Sequence, residues 1–243
     1  CLEREKEGRY RGDRGFTMRM RRKAHLEQRL DRCVESGKLI ILNCEDRNFV
    51  TSLEKKEYLD LAGIFKNDNP AVLEIGAGKG QFACELALRN PDINVLAVEM
   101  TSNVIVDAAE KAMAKDIPNL VFLRCDARYL EKFIPDGSVT RLYLNFSCPY
   151  PKKRYAAHRL THKNFLRIYE KLLAPGAEIH QKTDNRQFFE FSIDELSDYG
   201  FTLKNVCLDL HASDFEGNIV TEYEKRFSDM GQPIYRLEAY LKR

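Results

Sequence analysis

The sequence predicts an α/β fold in which helices cover both faces of a mostly parallel, seven-stranded sheet. Short apolar runs alternate with segments of helical period, which is the pattern of strands buried on both faces by helices. The first run leads directly into a glycine-rich loop, and an acidic residue stands at the end of each of the next two runs. Polar groups in these places are typical of open α/β sheets, which bind ligands at the carboxyl ends of their strands.

Apolar runs bounded by polar or turn residues define the strands of this sheet. Strands are predicted at 71–75, 94–98, 120–123, 139–146, 177–182, 201–210 and 233–241. Helices are predicted where apolar residues recur every three to four positions, at 51–66, 80–90, 101–115, 161–174 and 186–199. Pro175-Gly176 and Gly200 are expected to end the last two helices.

The composition is that of an ordinary globular protein. Of the 243 residues, 44% are hydrophobic and 31% are charged, which excludes disorder of the whole chain. The longest aliphatic run, 39–42, is far shorter than the ~20 residues that a membrane span needs, and no export signal is recognisable. The seven cysteines are odd in number and lack Cys-x-x-Cys spacing, which favours reduced thiols and a cytoplasmic protein over disulfides or a metal site.

Positive charge is concentrated in two segments, although the net charge is only +2. Residues 1–32 carry a net charge of +5, and residues 150–167 carry +6 without one acidic residue, so the rest of the chain carries −9. An acidic body with local basic segments indicates a polyanion binder, and the alternative is a pair of solvated faces. Because residues 1–36 are also poor in apolar side chains, we predict a mobile basic arm there and a folded domain at 37–243.

The loop after the first strand reads Glu74-Ile75-Gly76-Ala77-Gly78-Lys79-Gly80-Gln81. Glycines let a backbone turn tightly and approach a ligand closely. A dinucleotide fingerprint requires Gly or Ala where Gln81 stands, and Lys79 is misplaced for a P-loop. The pattern acid-x-Gly-x-Gly-x-Gly, with Gly76, Gly78 and Gly80, resembles the S-adenosylmethionine loop of Rossmann-like methyltransferases. The carboxylate ahead of the glycines suits a cationic ligand and would repel a pyrophosphate.

Two further acids are placed for the same ligand. Glu99 ends the second strand, where a carboxylate accepts hydrogen bonds from ribose hydroxyls, and Asp126 follows the third strand, where it faces an adenine amino group. Each is alternatively the N-cap of the next helix, at 101–115 or 127–133. Glu99 alone would also suit NAD, and only its combination with the glycine loop favours adenosylmethionine.

The end of the fourth strand carries the most unusual motif, Asn145-Phe146-Ser147-Cys148-Pro149-Tyr150-Pro151-Lys152-Lys153-Arg154-Tyr155. The two prolines stiffen the backbone beside the glycine loop. Tyr150 offers a face on which a base can stack, and the basic run suits phosphates. The motif is similar to the Asn-Phe-Ser-Asp-Pro-Trp-Pro-Lys-Lys-Arg-His signature of the bacterial tRNA (guanine-N7)-methyltransferases.

The resemblance to this family covers roughly residues 18–241. It includes Arg159-Leu160-Thr161, Lys182-Thr183-Asp184-Asn185, Phe188-Phe189-Glu190, the segment 208–215 and the segment 221–227. The resemblance implies a Rossmann-like class I methyltransferase that uses S-adenosylmethionine to methylate N7 of a tRNA guanine, in the variable loop in this family. We also expect a cytoplasmic enzyme without a metal, acting as a monomer or a homodimer.

By position, the resemblance assigns roles to individual residues. Cofactor contacts fall on Glu74, Gly76, Gly78, Gly80, Glu99, Asp126 and Cys148. Substrate contacts fall on Lys152, Asp184, Thr221, Glu222, Tyr223 and Glu224, and RNA contacts on Lys153, Arg154 and Arg159. The catalytic position is Cys148, where the family has aspartate, and Tyr150 stands where the family has tryptophan. Thr221 and Glu224 also have the spacing of a helix capping box, and the two roles are compatible.

The chemistry of guanine N7 decides what the site must supply. Its lone pair lies in the ring plane and attacks a sulfonium methyl without prior deprotonation. The site must therefore position two reactants and stabilise a cationic product, which Cys148 permits if Asp184, Glu222 or Glu224 supplies negative charge. Three alternatives stay open: a nucleophilic Cys148 acting on cytosine, a variant exocyclic-amine box at 147–150, and an adenosylmethionine- and RNA-binding protein without turnover.

Overall fold

The computed structural model describes residues 21–44 and 49–242, with side chains described outside 49–51. Its strands are β1 (Leu39–Ile41), β2 (Ala71–Ile75), β3 (Asn94–Glu99), β4 (Leu120–Arg124), β5 (Val139–Asn145), β6 (Leu173–Thr183), β7 (Phe201–Cys207) and β8 (Tyr235–Leu241). They form one sheet in the order β1-β4-β3-β2-β5-β6-β8-β7, parallel from β1 to β6, with β8 antiparallel to both neighbours. The predicted mostly parallel sheet is confirmed, and the short edge strand β1 is an eighth member.

Helices cover both faces of this sheet, as predicted. They are α1 (Leu26–Glu35), α2 (Phe49–Glu54), α3 (Leu61–Phe65), α4 (Gln81–Arg89), α5 (Ser102–Ala114), α6 (Leu130–Phe133), α7 (Lys163–Leu172), α8 (Arg186–Tyr199) and α9 (Glu222–Ser228), with 3-10 turns at Ala127–Tyr129, Lys153–His158 and Leu210–Ala212. One apolar core lies under α1, α4 and α5, and a second under α6, α7 and α8. Among the described helices, none combines the length and the apolar character needed to cross a bilayer.

The single helix predicted at 51–66 is wrong. The chain forms α2 and α3, and the residues between them are neither helix nor strand. There the N–H groups of Glu57 and Leu59 donate to the carbonyl oxygens of Lys132 and Phe133, each at 2.8 Å. Asp60 then begins α3 as its N-cap by accepting from the N–H of Gly63 at 3.0 Å. The apolar residues of this segment have helical spacing, but hydrogen bonds to a distant segment and the N-cap at Asp60 divide the segment into two helices.

The boundary between α7 and β6 also differs from the prediction. The helix ends at Leu172, and Leu173 already pairs with Val139 of β5. Pro175-Gly176 therefore lies inside β6, at the irregularity in its pairing with β5, instead of separating the strand from the helix. A strand tolerates proline at such an irregularity because the missing N–H is not needed for the ladder.

Part of the segment predicted as an arm is helical. Leu26, Leu30 and Cys33 recur at helical spacing in α1, and all three are buried in the core that includes α5. Their spacing is one turn or two, so they form one apolar stripe. Residues 1–20 lie outside the described residues, and the division of the chain at residue 36 stays a prediction.

Two basic side chains of this segment form ion pairs with acidic residues of α5. Arg29 donates to Glu110 at 2.6 and 2.8 Å and to Asp107 at 2.9 Å, both on α5. Lys23 forms an ion pair with the same Asp107. Hydrogen bonding by Arg29 lowers the pKa of Glu110 below its ordinary value. These charges hold α1 on α5, so they do not add to a surface for a polyanion.

Leu30→Ala tests whether α1 belongs to the folded domain. Leu30 is 2% exposed, and truncating such a leucine costs about 2–4 kcal/mol through lost transfer energy and a residual cavity. We expect the free energy of unfolding, measured with urea, to fall by that amount. Gln28→Ala, at an exposed position of the same helix, is the control and should change it by less than about 0.5 kcal/mol. Equal, small effects of both variants would show that α1 does not stabilise the domain.

Candidate active site

The glycine loop joins β2 to α4 at the carboxyl edge of the sheet. The N–H groups of Gly76 and Ala77 both donate to the carbonyl oxygen of Val98 on β3, at 2.9 and 3.0 Å. Gly76, Gly78 and Gly80 have φ angles of 81°, 57° and 70°, which side chains rarely adopt. The loop therefore depends on glycine for its backbone course.

The three glycines differ in what surrounds them. A Cβ on Gly76 or Gly78 would meet nothing within 4 Å, so open space lies beside both. A Cβ on Gly80 would lie 2.6 Å from the ring of Phe122 and 2.8 Å from Ala108. Gly80 thus lets α4 pack against β4 and α5, whereas Gly76 and Gly78 border a space that a ligand can enter.

Glu74 is a buried carboxylate with one unsatisfied oxygen. The residue is 2% exposed, and its Oε1 accepts from Asn145 Nδ2 at 3.1 Å. Its Oε2 has no hydrogen-bond partner among the described residues. Burial raises the pKa of Glu74 to about 7, partly offset by the amide of Asn145 and the charge of Lys182. A buried, unpaired oxygen is costly unless a ligand donates to it, which fits the ammonium group of adenosylmethionine.

Glu99 and Asp126 stand at the ends of β3 and β4, and they differ in their local roles. Glu99 Oε2 accepts from the N–H of Gly78 at 3.2 Å, and Oε1 from the N–H of Thr101 at 2.8 Å. Glu99 is therefore tied to the glycine loop and is not the N-cap of α5, which is Thr101. Asp126 is an N-cap, of the 3-10 turn at 127–129, and its carboxylate also accepts from the guanidinium of Arg128 at 2.6–3.1 Å.

The loop after β5 is held in an unusual conformation. Phe146 and Tyr150 have φ angles of 51° and 41°, in the left-handed region that is costly for bulky residues. Arg159 holds this loop by donating to the carbonyl oxygens of Pro149 and Tyr150, both at 3.0 Å. Its guanidinium also lies over the ring of Phe191, 4.3 Å from the centroid. Arg159 therefore positions the loop, and its predicted contact with RNA stays a prediction.

Cys148 lies in this loop among several predicted site residues. Its side chain is exposed. Burial raises the pKa of Tyr150, and the charges of Cys148 and Asp126 raise it further. Burial likewise raises the pKa of Tyr223, with contributions from Asp184 and Cys148. The ring of Phe146, in the same loop, lies 5.0 Å from that of Tyr223, so the loop that contains Cys148 lies beside the predicted substrate residues of α9.

A buried ion pair joins the C-terminal signature to the sheet. Lys182 on β6 donates to Glu224 Oε2 at 2.7 Å, and to Asn218 Oδ1 and the carbonyl oxygen of Ile219 at 3.0 Å. Lys182 is 6% exposed and Glu224 is 0% exposed. His211 Nε2 lies 3.1 Å from the other oxygen of Glu224. Because its carboxylate is enclosed and paired, Glu224 supports the site rather than facing it, and a substrate contact stays a prediction.

The start of α9 touches both loops of the site. The N–H of Glu222 donates to Gln81 Oε1 in the glycine loop at 2.6 Å, and the ring of Tyr223 lies 5.0 Å from that of Phe146. Thr221 caps the helix by accepting from the N–H of Glu224 at 3.1 Å, as the capping spacing indicates. Glu222 and Tyr223 are exposed at this junction.

The basic residues of the motif lie on the 3-10 turn at 153–158 or directly before it. Lys152, Lys153 and Arg154 are exposed. Arg154 lies over the ring of Tyr155, 4.9 Å from its centroid. This segment thus presents positive charge beside the stiff loop that contains Cys148.

A separate cluster on the sheet brings together Glu178, His180 and Glu238, whose ligand atoms lie within 4.8 Å of one another. His180 hydrogen-bonds Glu178 at 2.7 Å. The carboxylates already pair with cations, Lys204 on Glu178 and Arg236 on Glu238. This balance of charge indicates a structural ion-pair network. The expectation that the protein uses no metal stays a prediction.

Four residues contact predicted site residues, but the sequence had suggested no such contact for them. They are Asn145, Lys182, Gln81 and Arg128, which bind predicted site residues. Lys182 offered one signal, its place in the Lys182-Thr183-Asp184-Asn185 segment of the family resemblance. The partners of the other three depend on how distant segments meet, which spacing along the chain does not reveal.

The chain is similar to known methyltransferases in sequence and in fold. A family model described as "Putative methyltransferase" matches residues 68–237. The chain is 52% identical over 180 residues to a tRNA (guanine-N(7)-)-methyltransferase of Listeria monocytogenes serovar 1/2a, which covers 74% of this chain and 84% of the relative. It is 45% identical over 222 residues to the protein of that name from Bacillus cytotoxicus, which covers 91% and 96%.

Among solved structures, the 16S rRNA methyltransferase KamB matches with a TM-score of 0.56 at 18% identity. The match covers 77% of this chain and 96% of that one. At this identity the likeness concerns the fold.

Two alanine substitutions separate the roles of the glycines. Gly80→Ala should lower the free energy of unfolding by about 2–4 kcal/mol, since it adds backbone strain and overpacks the contact with Phe122. Gly78→Ala should cost only about 1–2 kcal/mol of backbone strain, but it should weaken adenosylmethionine binding at least tenfold, because the Cβ enters the open space. Urea unfolding and calorimetry measure the two effects. Unchanged affinity in Gly78→Ala would place the ligand elsewhere.

Neighbouring glutamates of α9 provide a second matched pair. Glu224→Gln leaves the buried ammonium of Lys182 without its counter-charge, and we expect a loss of roughly 3–5 kcal/mol in the free energy of unfolding. Glu222→Gln, at an exposed position, should change it by less than about 0.5 kcal/mol. Urea unfolding of both variants tests the prediction. Similar small losses in both would mean that the buried pair does not hold the C-terminal segment in place.

Proposed function

Because the chain belongs to the family of the tRNA (guanine-N(7)-)-methyltransferases, we propose that it transfers a methyl group from S-adenosylmethionine to N7 of a guanine in tRNA. The guanine is the variable-loop one that the sequence resemblance implies, and the enzyme works in the cytoplasm, where tRNA is processed. The observation that carries the proposal is the meeting of the glycine loop, the motif loop and the start of α9 at one edge of the sheet.

The chain's own residues suit adenosylmethionine. Bound there, the cofactor supplies a methyl group activated by a positively charged sulfur. Two observations support this proposal: the buried Oε2 of Glu74 has no hydrogen-bond partner among the described residues, and open space lies beside Gly76 and Gly78. In the proposed complex, Glu74 accepts from the ammonium group and the ligand lies close to the backbone of the two glycines. Glu99 is held beside that space by Gly78, with its acceptor oxygens suited to ribose hydroxyls. Asp126 already accepts a hydrogen bond from Arg128, so in the proposed complex its carboxylate accepts from both Arg128 and the adenine amino group.

For methyl transfer, the protein must align the guanine and support positive charge. N7 needs no base, so the stiff loop that contains Cys148 acts by positioning. Glu224 is neutralised by Lys182, so the negative field falls to Asp184 and Glu222. Burial raises the pKa of Asp184, which means that its charge is incompletely solvated. A cationic methylated guanine nearby would offset that cost.

The tRNA contact is assigned to the motif rather than to α1. Lys152, Lys153 and Arg154 are exposed and lie in a segment without acids. Among the described cations of the first basic segment, Lys23 and Arg29 pair instead with acids of α5. Binding to phosphates should therefore depend on the motif and weaken with added salt, as counterion release requires.

The assay that tests this function uses the purified chain, labelled adenosylmethionine and unmodified tRNA, with identification of the methylated nucleoside. The sharpest substrate control is a tRNA with 7-deazaguanosine at the variable-loop guanine, since that base has carbon in place of N7. We expect 7-methylguanosine from the normal tRNA and loss of that product from the modified one. A methylated cytosine or exocyclic amine would favour another methyltransferase, and binding without product would favour the RNA-binding alternative.

The pKa of Glu74 predicts how cofactor affinity varies with pH. Since that pKa is about 7, Glu74 is uncharged at lower pH, and a bound ammonium must ionise it. Affinity for adenosylmethionine should then rise between pH 5.5 and 7, by up to about tenfold per unit, and level off above. Glu74→Gln should bind more weakly and show no such rise. Calorimetry across this range is the measurement, and a flat wild-type profile would contradict the assignment.

Cys148 is predicted to act through its place in the loop. Cys148→Ser should keep methyl transfer within about tenfold of the wild type, a barrier change of only ~1.4 kcal/mol, because N7 attack needs no base. Cys148→Asp should be at least as active as the wild type, since a carboxylate stabilises the cationic product. Single-turnover rates with saturating tRNA measure both.

A nucleophilic Cys148 makes the opposite prediction. Cys148→Ser would then lose more than a thousandfold in rate while still binding adenosylmethionine, and a covalent adduct between RNA and the wild-type protein would be trapped. That result would overturn the positioning role and would favour cytosine as the methylated base.

A further inference from the structure

Two cysteines that are 81 residues apart in sequence meet at the cofactor edge of the sheet. Cys44 follows β1, and Cys125 directly follows β4, its parallel neighbour. Their Sγ atoms lie 3.3 Å apart. Cys125 is 3% exposed, and Cys44 is half-buried, so solvent reaches one member of the pair.

We propose that Cys44 and Cys125 form a reversible disulfide that weakens adenosylmethionine binding, which makes this pair a redox-modification site on the enzyme. The first part concerns this chain's thiols alone. The second part rests on the function proposed above, because it assumes that Asp126 borders the adenine site. The oxidant is a low-molecular-weight disulfide, which reacts by thiol–disulfide exchange.

The two thiols are suited to different steps of that exchange. A hydrogen bond from Cys125 lowers the pKa of the Cys44 thiol, opposed by burial and assisted by the N–H of Asp126. The hydrogen bond with Cys44 and burial raise the pKa of Cys125. Cys44 is therefore the attacking thiolate, and Cys125 is the buried resolving thiol.

The exchange balances in two steps. The thiolate of Cys44 attacks one sulfur of the small disulfide, which forms a mixed disulfide and releases one small thiolate. Cys125 then loses its proton to solvent and attacks the Cys44 sulfur, which expels the second small thiolate. Two protein thiols are oxidised to one disulfide, the small disulfide is reduced to two thiols, and added thiol reverses the reaction.

The link to the cofactor site is short. A disulfide has an S–S distance of ~2.05 Å, so the sulfurs must move more than 1 Å closer than the 3.3 Å observed. Cys125 Sγ lies 3.2 Å from the carbonyl oxygen of Asp126, and Asp126 caps the following turn and pairs with Arg128. Movement of Cys125 therefore displaces the residue that faces adenine in the proposed complex.

The experiment exposes the full chain to oxidised and reduced glutathione in defined ratios, then blocks free thiols and maps peptides by mass spectrometry. We expect a Cys44–Cys125 cross-linked peptide with the loss of two hydrogens. The oxidised protein should bind adenosylmethionine at least fivefold more weakly in calorimetry, and dithiothreitol should restore the affinity. Cys44→Ser should form no cross-link and should keep its affinity under oxidation. Cys207→Ser, at another half-buried cysteine, should behave like the wild type.

The outcomes separate the inference from the proposed function. Glutathione adducts on Cys44 or Cys148 without the Cys44–Cys125 link would overturn the inference, and so would a cross-linked protein with unchanged affinity. If the reduced protein failed to bind adenosylmethionine at all, the proposed function would fail, while the peptide map would still decide whether the disulfide forms.

Discussion

The buried ammonium of Lys182 is the charge on which the site depends. It stands at the end of β6 and binds Glu224, Asn218 and Ile219, all in the C-terminal segment. Burial lowers the pKa of Lys182, and the charge of Glu224 opposes that shift. The same ammonium moderates the pKa of Glu74. One cation therefore joins the tail to the sheet and sets the electrostatic environment of the carboxylate beside the glycine loop.

The distribution of positive charge matters more than its sum. Several cations form ion pairs or hydrogen bonds within the protein, namely Lys23, Arg29, Arg159 and Lys182. Others are exposed beside the motif loop, namely Lys152, Lys153 and Arg154. The two basic segments have similar net charges, but Lys23 and Arg29 of the first are paired with acids of α5. Sequence alone does not show this difference, because the acids involved lie about 80 residues away.

The parts of the fold that local patterns determine were predictable. Apolar runs such as 94–98 identify central strands because both faces of the sheet are covered. Gly80 was predicted to contact the cofactor, and that contact stays a prediction; its close packing against Phe122 was not foreseen. Prediction failed where distant segments compete with local preference. The helix at 51–66 is divided by hydrogen bonds to Lys132 and Phe133, and the segment containing Leu30 was taken for an arm because its few apolar residues were outnumbered by charges. The meeting of Cys44 with Cys125 depends on β1, a strand of three residues whose pairing with β4 local pattern does not reveal.

The hydrogen bond between Gln81 and the N–H of Glu222 connects the regions proposed to bind the two ligands. It joins the start of the cofactor-side helix α4 to the start of α9, which carries the predicted substrate residues. If RNA shifts α9 and thereby changes cofactor affinity by some factor, the cofactor must change RNA affinity by the same factor, because the free energy of the ternary complex does not depend on the order of assembly. Cooperativity between the two ligands, of whichever sign, is thus reciprocal, and this hydrogen bond is one contact through which it can act.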